Sequence, residues 1–493
     1  MATDRGLRRL ALGTILAAFP GHTPPPWAVE LVRDGLAGHV LFGRNVDNPA
    51  QLTTCVAALR EAHTDVLVAI DEEGGDVTRL AHATGSPYPG NAALGVVDDL
   101  THTRDIYRAI GDQLTAVGIT LDLAPVADVN SAADNPVIGP RSFGTDPTRV
   151  AAHTAAAVTG LQAAYVAACA KHFPGHGATV VDSHLELPTV DVPIEVLKTR
   201  DLPPFAAAIA ADAKAIMSAH IRVPAVTGDR PATFSRPILT NLLRDEYRFT
   251  GTVITDALEM QAASTPVGGM GPAAVLALAA GADLLCLGAT EDAAVVERVA
   301  DEICTATRDG RLQVARLEQA VERSTRLAAW TRPSPGPMPP PTRLGYDVAR
   351  RAVRVDGIPP SGTPLVVQLF ATSTNVQGRT PWGLGPHLTG VEEIHKVAAQ
   401  TTAAELRQHA GGRPIVVVCR RLRGLAGGPA LVETLAADHP VTVVDMGWPS
   451  SWRPRGVRAF VTTYGASHAN GRAAAEALGL VSALGDGEPP RAV

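Results

Sequence analysis

The chain has 493 residues, of which 46% are hydrophobic and 19% charged, so it is long and apolar enough to form two or more domains. Its 43 basic and 49 acidic residues give a net charge of −6 without any lysine- or arginine-rich run, which argues against a nucleic-acid partner. No apolar run approaches the roughly 18 residues that a membrane helix needs, so we expect no membrane partner.

Cysteine usage indicates a reducing environment. The five cysteines are odd in number and lack CxxC spacing, which favours neither a disulfide framework nor a zinc ribbon; they are Cys55, Cys169, Cys286, Cys304 and Cys419. The sequence therefore predicts a cytoplasmic protein.

The N-terminal stretch RGLRRLALGTILAAFPG resembles a signal peptide, because basic residues precede an apolar run. The apolar part is short, however, and leads into an amphipathic helix pattern and then another strand pattern. We therefore interpret residues 11–19 as a buried first strand rather than a cleaved leader.

Eight short apolar runs typical of buried strands follow one another through the first two-thirds of the chain, with helical patterns such as 48–62 and 146–164 between them. The runs cover 11–19, 39–43, 65–71, 119–126, 166–173, 215–221, 251–257 and 283–288. Alternation of strands and helices predicts a parallel sheet, and eight strands are the number that closes a TIM-type (β/α)8 barrel, here over 1–330. A doubly wound open sheet is the alternative.

A proline-rich stretch predicts the domain boundary. Six of the thirteen residues in 331–343 are proline, so we interpret 331–344 as an extended linker. Four more strand-like runs follow, with helical spacers between them, over 364–370, 414–420, 441–448 and 458–465. They predict a second, smaller α/β domain over 345–493.

Polar side chains recur at the carboxyl ends of the predicted barrel strands, where barrel enzymes carry their chemistry. Asp71 ends the third strand, with Arg79 eight residues further on, and Asp256 ends the seventh. The fifth strand ends in Lys171 and His172, and the sixth in His220, whose role the sequence leaves open. A single aspartate after a strand is usually a helix cap, but the coincidence across strands indicates a site.

The segment KHFPGHGATVVDSH, residues 171–184, allows three interpretations. His172 and His176 have the i, i+4 spacing of metal ligands, but a proline and a glycine between them disfavour a helix. An anion-binding loop would need a phosphate-binding glycine motif that is not present. The third interpretation is an acid–base loop, because a carboxylate such as Asp182 tunes a nearby imidazole such as His184 for proton transfer. The histidines alternatively only brace the loop.

Four blocks together resemble glycoside hydrolase family 3, and specifically its bacterial β-N-acetylglucosaminidase (β-N-acetylhexosaminidase) branch. The blocks are IDEEGGDVTRL (70–80), GPRSFGTDP (139–147), AKHFPGHGATVVDSH (170–184) and VITDALEM (253–260). They occur in the family's order and the resemblance covers roughly residues 5–330, whereas the C-terminal domain matches more weakly.

The resemblance assigns roles to individual residues. Asp256 matches the catalytic nucleophile, His184 the general acid/base, and Asp182 the partner of that histidine in an Asp–His dyad. Five residues match those that bind the sugar in the first subsite: Asp71, Arg79, Arg141, Lys171 and His172. One departure is Asp76, which stands where many relatives carry a basic residue.

The resemblance thus implies a retaining exo-β-N-acetylglucosaminidase that acts on peptidoglycan fragments or chitooligosaccharides through a covalent glycosyl-aspartate, without a cofactor or metal. Its partner is expected to be a carbohydrate substrate. The alternatives are an N-acetylglucosaminide phosphorylase or β-glucosidase of the same family, a metal-dependent hydrolase, and, from another class, a non-catalytic sugar-binding protein. The oligomeric state is left open.

Overall fold

The computed structural model describes residues 2–181, 187–288, 292–371 and 380–485. The chain divides into two compact units, and neither is continuous in sequence. The first unit comprises Met1–Glu73, Thr103–Ile138 and Gly144–Pro340; the second comprises Gly74–His102, Gly139–Phe143 and Pro341–Val493. The boundary proposed from the proline-rich linker stays a prediction.

The first unit contains eight parallel strands in the order β7-β6-β5-β4-β3-β2-β1-β8. The strands are β1 Ile15–Ala17, β2 Gly38–Leu41, β3 Leu67–Ile70, β4 Leu121–Asp122, β5 Ala167–Phe173, β6 Ala215–Ser218, β7 Thr252–Thr255 and β8 Leu285–Leu287. A parallel bridge between Ile254 and Leu284 links the two ends of the sheet. This nearly closed sheet with its flanking helices confirms the predicted (β/α)8 barrel.

Every barrel strand is buried along its whole length, which is why the strands appear in the sequence as continuous apolar runs. The prediction of a strand over 11–19 was wrong at its start, because helix α1, Ala2–Leu12, covers the first two of those residues and β1 begins at Ile15. Basic and apolar residues in α1 alternate with helical rather than strand periodicity.

The remaining helices of the chain are α2 Pro26–Asp34, α3 Pro49–Ala62, α4 Asn91–Val97, α5 Leu100–Ala116, α6 Pro147–Ala163, α7 Ile194–Arg200, α8 Pro203–Ala210, α9 Pro224–Thr227, α10 Gln261–Ser264, α11 Met270–Ala280, α12 Ala293–Arg308, α13 Val314–Trp330, α14 Leu344–Ala352, α15 Ala403–Ala410, α16 Gly428–Ala436 and α17 His468–Ala477. Short 3₁₀ segments cover Gly43–Asn45, Gly139–Arg141, Ala232–Phe234, Thr265–Val267, Gly385–His387, Ala398–Gln400 and Leu422–Gly424, and a π-helix covers Pro237–Glu246.

Helix starts follow local sequence signals. Asn48, Asp146 and Asp292 each accept a hydrogen bond from a backbone N–H in the first turn of the following helix. Within the described residues, no single helix has the length and apolar composition to cross a membrane; one pair bent by 102°, Gln261–Val267 with Met270–Ala280, passes that test jointly.

A buried ion cluster joins the end of the barrel sheet to its helices. The fully buried carboxylate of Asp283 accepts from Arg244 at 2.5 Å, Arg316 at 2.6 Å and Arg323 at 3.0 Å. Asp283 also accepts from the backbone N–H of Val253 at 2.9 Å, directly at β7. The three guanidinium groups on this carboxylate thus connect α13 and the π-helix, which are far apart in sequence, to the barrel sheet.

The second unit contains a six-stranded sheet in the order β11-β10-β12-β13-β14-β9, parallel except for β9, which is antiparallel to β14. Its strands are β9 Arg354–Gly357, β10 Leu365–Phe370, β11 Glu393–Val397, β12 Ile415–Cys419, β13 Val441–Asp445 and β14 Ala459–Thr462. The sheet, with its helices, confirms the predicted second α/β domain. The two strands that the sequence did not predict, β9 and β11, lie at the edges.

Candidate active site

The structure places four predicted site residues at the carboxyl ends of barrel strands. Asp71 directly follows β3, and Asp256 directly follows β7. Lys171 and His172 lie in the last three residues of β5. Because the strands are parallel and adjacent in one barrel, their carboxyl ends form a single rim, the usual location of barrel active sites.

Lys171 is held by two carboxylates. Its side chain is 2% exposed, and Nζ lies 2.8 Å from Asp71 Oδ1 and 2.6 Å from Glu73 Oε1. The Glu73 side chain is 2% exposed, whereas that of Asp71 is 17% exposed. The ammonium is therefore fixed in one position, while the Asp71 carboxylate keeps access to solvent.

A buried carboxyl lies beneath this group at the end of β4. Asp122 is fully buried and accepts a hydrogen bond from the backbone N–H of Glu72 at 2.9 Å. Burial raises the pKa of Asp122 well above its usual range, although that N–H and the charge of Lys171 act in the opposite direction. Burial therefore favours the uncharged form of Asp122, and the hydrogen bond from the segment after β3 indicates a structural role.

Asp128, in the loop that follows β4, organises the turn after β5. Its Oδ1 accepts from the backbone N–H of His172 at 3.2 Å and from that of His176 at 2.6 Å, and its Oδ2 lies 2.7 Å from His172 Nδ1. Asp128 is fully buried. One carboxylate thus bridges both ends of the HFPGH turn.

His176 braces the same turn from inside. Its Nδ1 lies 2.8 Å from Thr179 Oγ1, and its carbonyl accepts from Asn135 Nδ2 at 2.9 Å. Burial, followed by the neighbouring His172, lowers the pKa of His176 to about 4, so its imidazole is neutral at physiological pH. These contacts favour a structural role for His176.

His220 supports the segment that carries Asp256. Its Nε2 lies 3.1 Å from the carbonyl oxygen of Ala257, so it donates there, and its Nδ1 lies 2.9 Å from Thr233 Oγ1. Burial lowers the pKa of His220, partly offset by the charge of Asp256. Both ring nitrogens thus contact protein atoms, which favours a bracing role for the residue that the sequence left open.

Asp256 belongs to the same electrostatic environment as the β3 and β5 residues. Its backbone N–H donates to Ser218, on β6, at 3.1 Å, and its Oδ1 accepts from its own neighbour Ala257 at 2.8 Å. Burial raises the pKa of the Cys169 thiol. The charge of Lys171 acts to lower that pKa, and the charges of Asp71 and Asp256 act to raise it. Charges from β3, β5 and β7 therefore converge on one part of the barrel.

The other predicted site residues are two arginines and the acid–base pair. Arg79 and Arg141 belong to the second unit, where the carbonyl of Arg141 accepts from Asn91 Nδ2 at 2.7 Å. Asp182 and His184, the predicted acid–base dyad, lie outside the described residues. In the described part of the chain, no group of three or more His, Cys, Asp or Glu side chains is arranged to hold a metal.

Sequence reasoning missed the buried acidic residues that support the site: Glu73, Asp122 and Asp128. A signal was present, since all three lie in or just after a predicted strand, in IDEEGG and LDLAPVAD. The carboxyl-end criterion that selected Asp71 applies equally to the fourth strand.

Comparison with known proteins agrees with this geometry. Residues 24–327 match the family described as glycosyl hydrolase family 3 N terminal domain. The chain is 36% identical over 319 residues to beta-hexosaminidase LpqI of Mycobacterium tuberculosis, covering 63% of this chain and 79% of that one. It is 40% identical over 261 residues to beta-hexosaminidase A of Pseudoalteromonas piscicida, and there it spans only 44% of the relative's length.

Among solved structures, a glycoside hydrolase family 3 beta-N-acetylglucosaminidase from Paenibacillus sp. has a TM-score of 0.86 and 31% identity, with 97% of each chain covered. The similarity therefore extends through the second unit and is not confined to the barrel. With strand ends that carry the predicted polar residues and a family match over more than half of its length, the chain belongs to glycosyl hydrolase family 3 and is a glycoside hydrolase.

Proposed function

We propose that this protein is a retaining exo-β-N-acetylglucosaminidase that removes terminal β-linked N-acetylglucosamine from peptidoglycan fragments or chitooligosaccharides. The observation that carries the proposal is the similarity over 97% of both chains to the Paenibacillus beta-N-acetylglucosaminidase. Relatives named beta-hexosaminidase support the same substrate class.

In the proposed first step, the Asp256 carboxylate attacks the anomeric carbon while the bond from that carbon to the aglycone oxygen breaks. His184, assisted by Asp182, donates a proton to the departing oxygen. This gives a covalent glycosyl-aspartate and the free aglycone.

In the second step, His184 takes a proton from water, and the water oxygen attacks the anomeric carbon. The bond to Asp256 breaks and the carboxylate returns. Two inversions at one carbon retain the β configuration. An oxocarbenium-like transition state is stabilised by the adjacent carboxylate throughout.

Substrate binding is assigned to five polar side chains: Asp71, Arg79, Arg141, Lys171 and His172. The fixed ammonium of Lys171 is suited to donate to a sugar hydroxyl, and the partly exposed Asp71 carboxylate to accept from one. Because Lys171 is already ordered by Asp71 and Glu73, binding costs little side-chain entropy.

The test compares hydrolysis of a chromogenic β-N-acetylglucosaminide and the matching β-glucoside by wild type, Asp256→Asn and His184→Ala, with EDTA present throughout. Asp309→Asn, which changes an exposed carboxylate paired with Arg311, is the matched control. We expect wild type to turn over the acetylated substrate alone. Asp256→Asn should lose activity, His184→Ala should be impaired, and the control should keep the activity of wild type.

Two further measurements complete this test. NMR of the first-formed sugar anomer reports retention, and parallel reactions with added phosphate report whether a sugar phosphate forms instead of the free sugar. An α-configured first product, or full activity of Asp256→Asn, would refute the mechanism; sugar phosphate as the main product would replace hydrolysis by phosphorolysis.

A further inference from the structure

The contacts of Asp128 determine more than the shape of the turn after β5. Its Oδ1 accepts two backbone N–H groups, from His172 and His176, and its Oδ2 faces His172 Nδ1 at 2.7 Å. A carboxylate has no proton to give, so the ring nitrogen that faces it carries the proton. Neutral His172 therefore has its proton on Nδ1.

The tautomer fixes what the other ring nitrogen can do. With the proton on Nδ1, Nε2 of a neutral imidazole has a lone pair and accepts a hydrogen bond. The side chain of His172 is 7% exposed, and its neighbour in the strand, Lys171, is a donor. The two adjacent residues thus offer a sugar one acceptor and one donor.

We propose that Asp128 is a positioning residue for substrate recognition, which holds His172 as the Nδ1–H tautomer so that Nε2 accepts a hydrogen bond from a substrate hydroxyl. This rests on the proposed function, in which His172 binds the sugar. Asp128 acts through His172 and does not itself contact substrate.

Asp128→Asn provides a specific perturbation because the two backbone N–H groups need an acceptor. Both N–H groups can still donate to the amide oxygen of the new side chain, and this orientation places the amide NH₂ against His172 Nδ1. A donor at that position reverses the tautomer, moves the proton to Nε2 and converts the acceptor for substrate into a donor. A donor–donor mismatch of this kind lowers kcat/KM by about 10- to 100-fold.

The kinetic experiment measures kcat/KM on the chromogenic β-N-acetylglucosaminide for Asp128→Asn, His172→Gln and the double variant. If Asp128 acts through His172, we expect the Asp128 substitution to have little further effect once His172 is replaced. Asn135→Ala is the control, because Asn135 holds the turn through the carbonyl of His176; its effect should persist in the His172→Gln background. Equal Asp128→Asn effects in both backgrounds would overturn the proposal.

The spectroscopic experiment observes the tautomer directly. Long-range ¹H–¹⁵N correlation spectra of wild type with ¹⁵N-labelled histidine, assigned with His172→Gln, show which ring nitrogen of His172 is protonated among the 15 histidines. We expect the proton on Nδ1 in wild type and on Nε2 in Asp128→Asn. A wild-type proton on Nε2 overturns the proposal even if the variant does not fold. If wild type cleaves no N-acetylglucosaminide, the proposed function fails while the spectra still decide the tautomer.

Discussion

The clearest quantitative prediction concerns the buried ion group around Lys171. Replacing Lys171 with methionine keeps an unbranched side chain that is one atom shorter and removes the ammonium that lies 2.6 Å from Glu73 and 2.8 Å from Asp71. Glu73 is almost completely buried, so its carboxylate then loses the Lys171 ammonium in a site with little solvent. Breaking a buried pair on one side costs about 3–5 kcal/mol of unfolding free energy.

The chain contains a matched control for this substitution. Lys198 and Glu246 form a pair at the same 2.6 Å distance, but with side chains 38% and 50% exposed. When one group of this exposed pair is removed, water solvates the charged group that remains, so Lys198→Met should change the free energy of unfolding little. Two features distinguish the Lys171 group from this pair: its burial and the second carboxylate, Asp71.

Urea-induced unfolding followed by circular dichroism measures both variants, Glu73→Gln alone, and the double variant Lys171→Met/Glu73→Gln. Removing the charge of Glu73 together with that of Lys171 should recover part of the loss, because no buried carboxylate is then left without the ammonium. The reasoning is refuted if Lys171→Met costs no more than Lys198→Met, or if the losses at Lys171 and Glu73 simply add.

Three other predictions concern stability. Burial lowers the pKa of His39 to about 4, so the unfolded chain binds a proton at this histidine between about pH 6.5 and 4 while the folded chain does not. The free energy of unfolding should therefore fall by about 1.2 kcal/mol between pH 7 and 5.5 because of His39. Urea titrations of His39→Gln should show a fall that is smaller by that amount. Asp283→Asn leaves three guanidiniums without their shared carboxylate and should cost about 3–5 kcal/mol in the same assay, whereas a value below 1 kcal/mol would contradict a central role. Asp76→Ala removes the acceptor that lies 2.6 Å from the backbone nitrogen of Ala466 and should cost about 1–3 kcal/mol, with Asp76→Asn, which retains an oxygen, losing less.

The barrel could be predicted from sequence because burial on both faces leaves a strong signal. Each of the eight strands lies in a short apolar run, and after β3 and β7 a polar residue, Asp71 or Asp256, marks the carboxyl end. The edge strands β9 and β11 gave no comparable signal, since β9 is exposed along its length and β11 is half-exposed. Strand prediction from hydrophobicity succeeds only where the sheet is covered.

The same limit applies to the site. Residue types and strand ends identified Lys171 and His172, but their partners Glu73 and Asp128 lie 98 and 44 positions away in sequence. Which carboxylate meets which cation depends on strand order and register, and β4 pairs with β5 through Asp122 and Ala168. Composition and spacing do not contain that register, so sequence alone predicted the side chains of the site but not what holds them.

Register also explains why two segments of the site, the turn after β5 and the residues after β7, are held from a neighbouring strand. The backbone nitrogen of Ala127 bonds to the carbonyl of Lys171 at 2.6 Å, which continues the β4–β5 pairing past the regular strands and sets Asp128 opposite His172. Likewise, His220 after β6 bonds to the carbonyl that follows Asp256 at the end of the adjacent β7. The carboxylates that hold Lys171 come from further round the rim, from the segment after β3, two strands away. A barrel rim built by such lateral contacts transmits a change in one loop to the chemistry of the next. Substitutions at Asp128 or His220 should therefore alter activity without touching the reacting atoms.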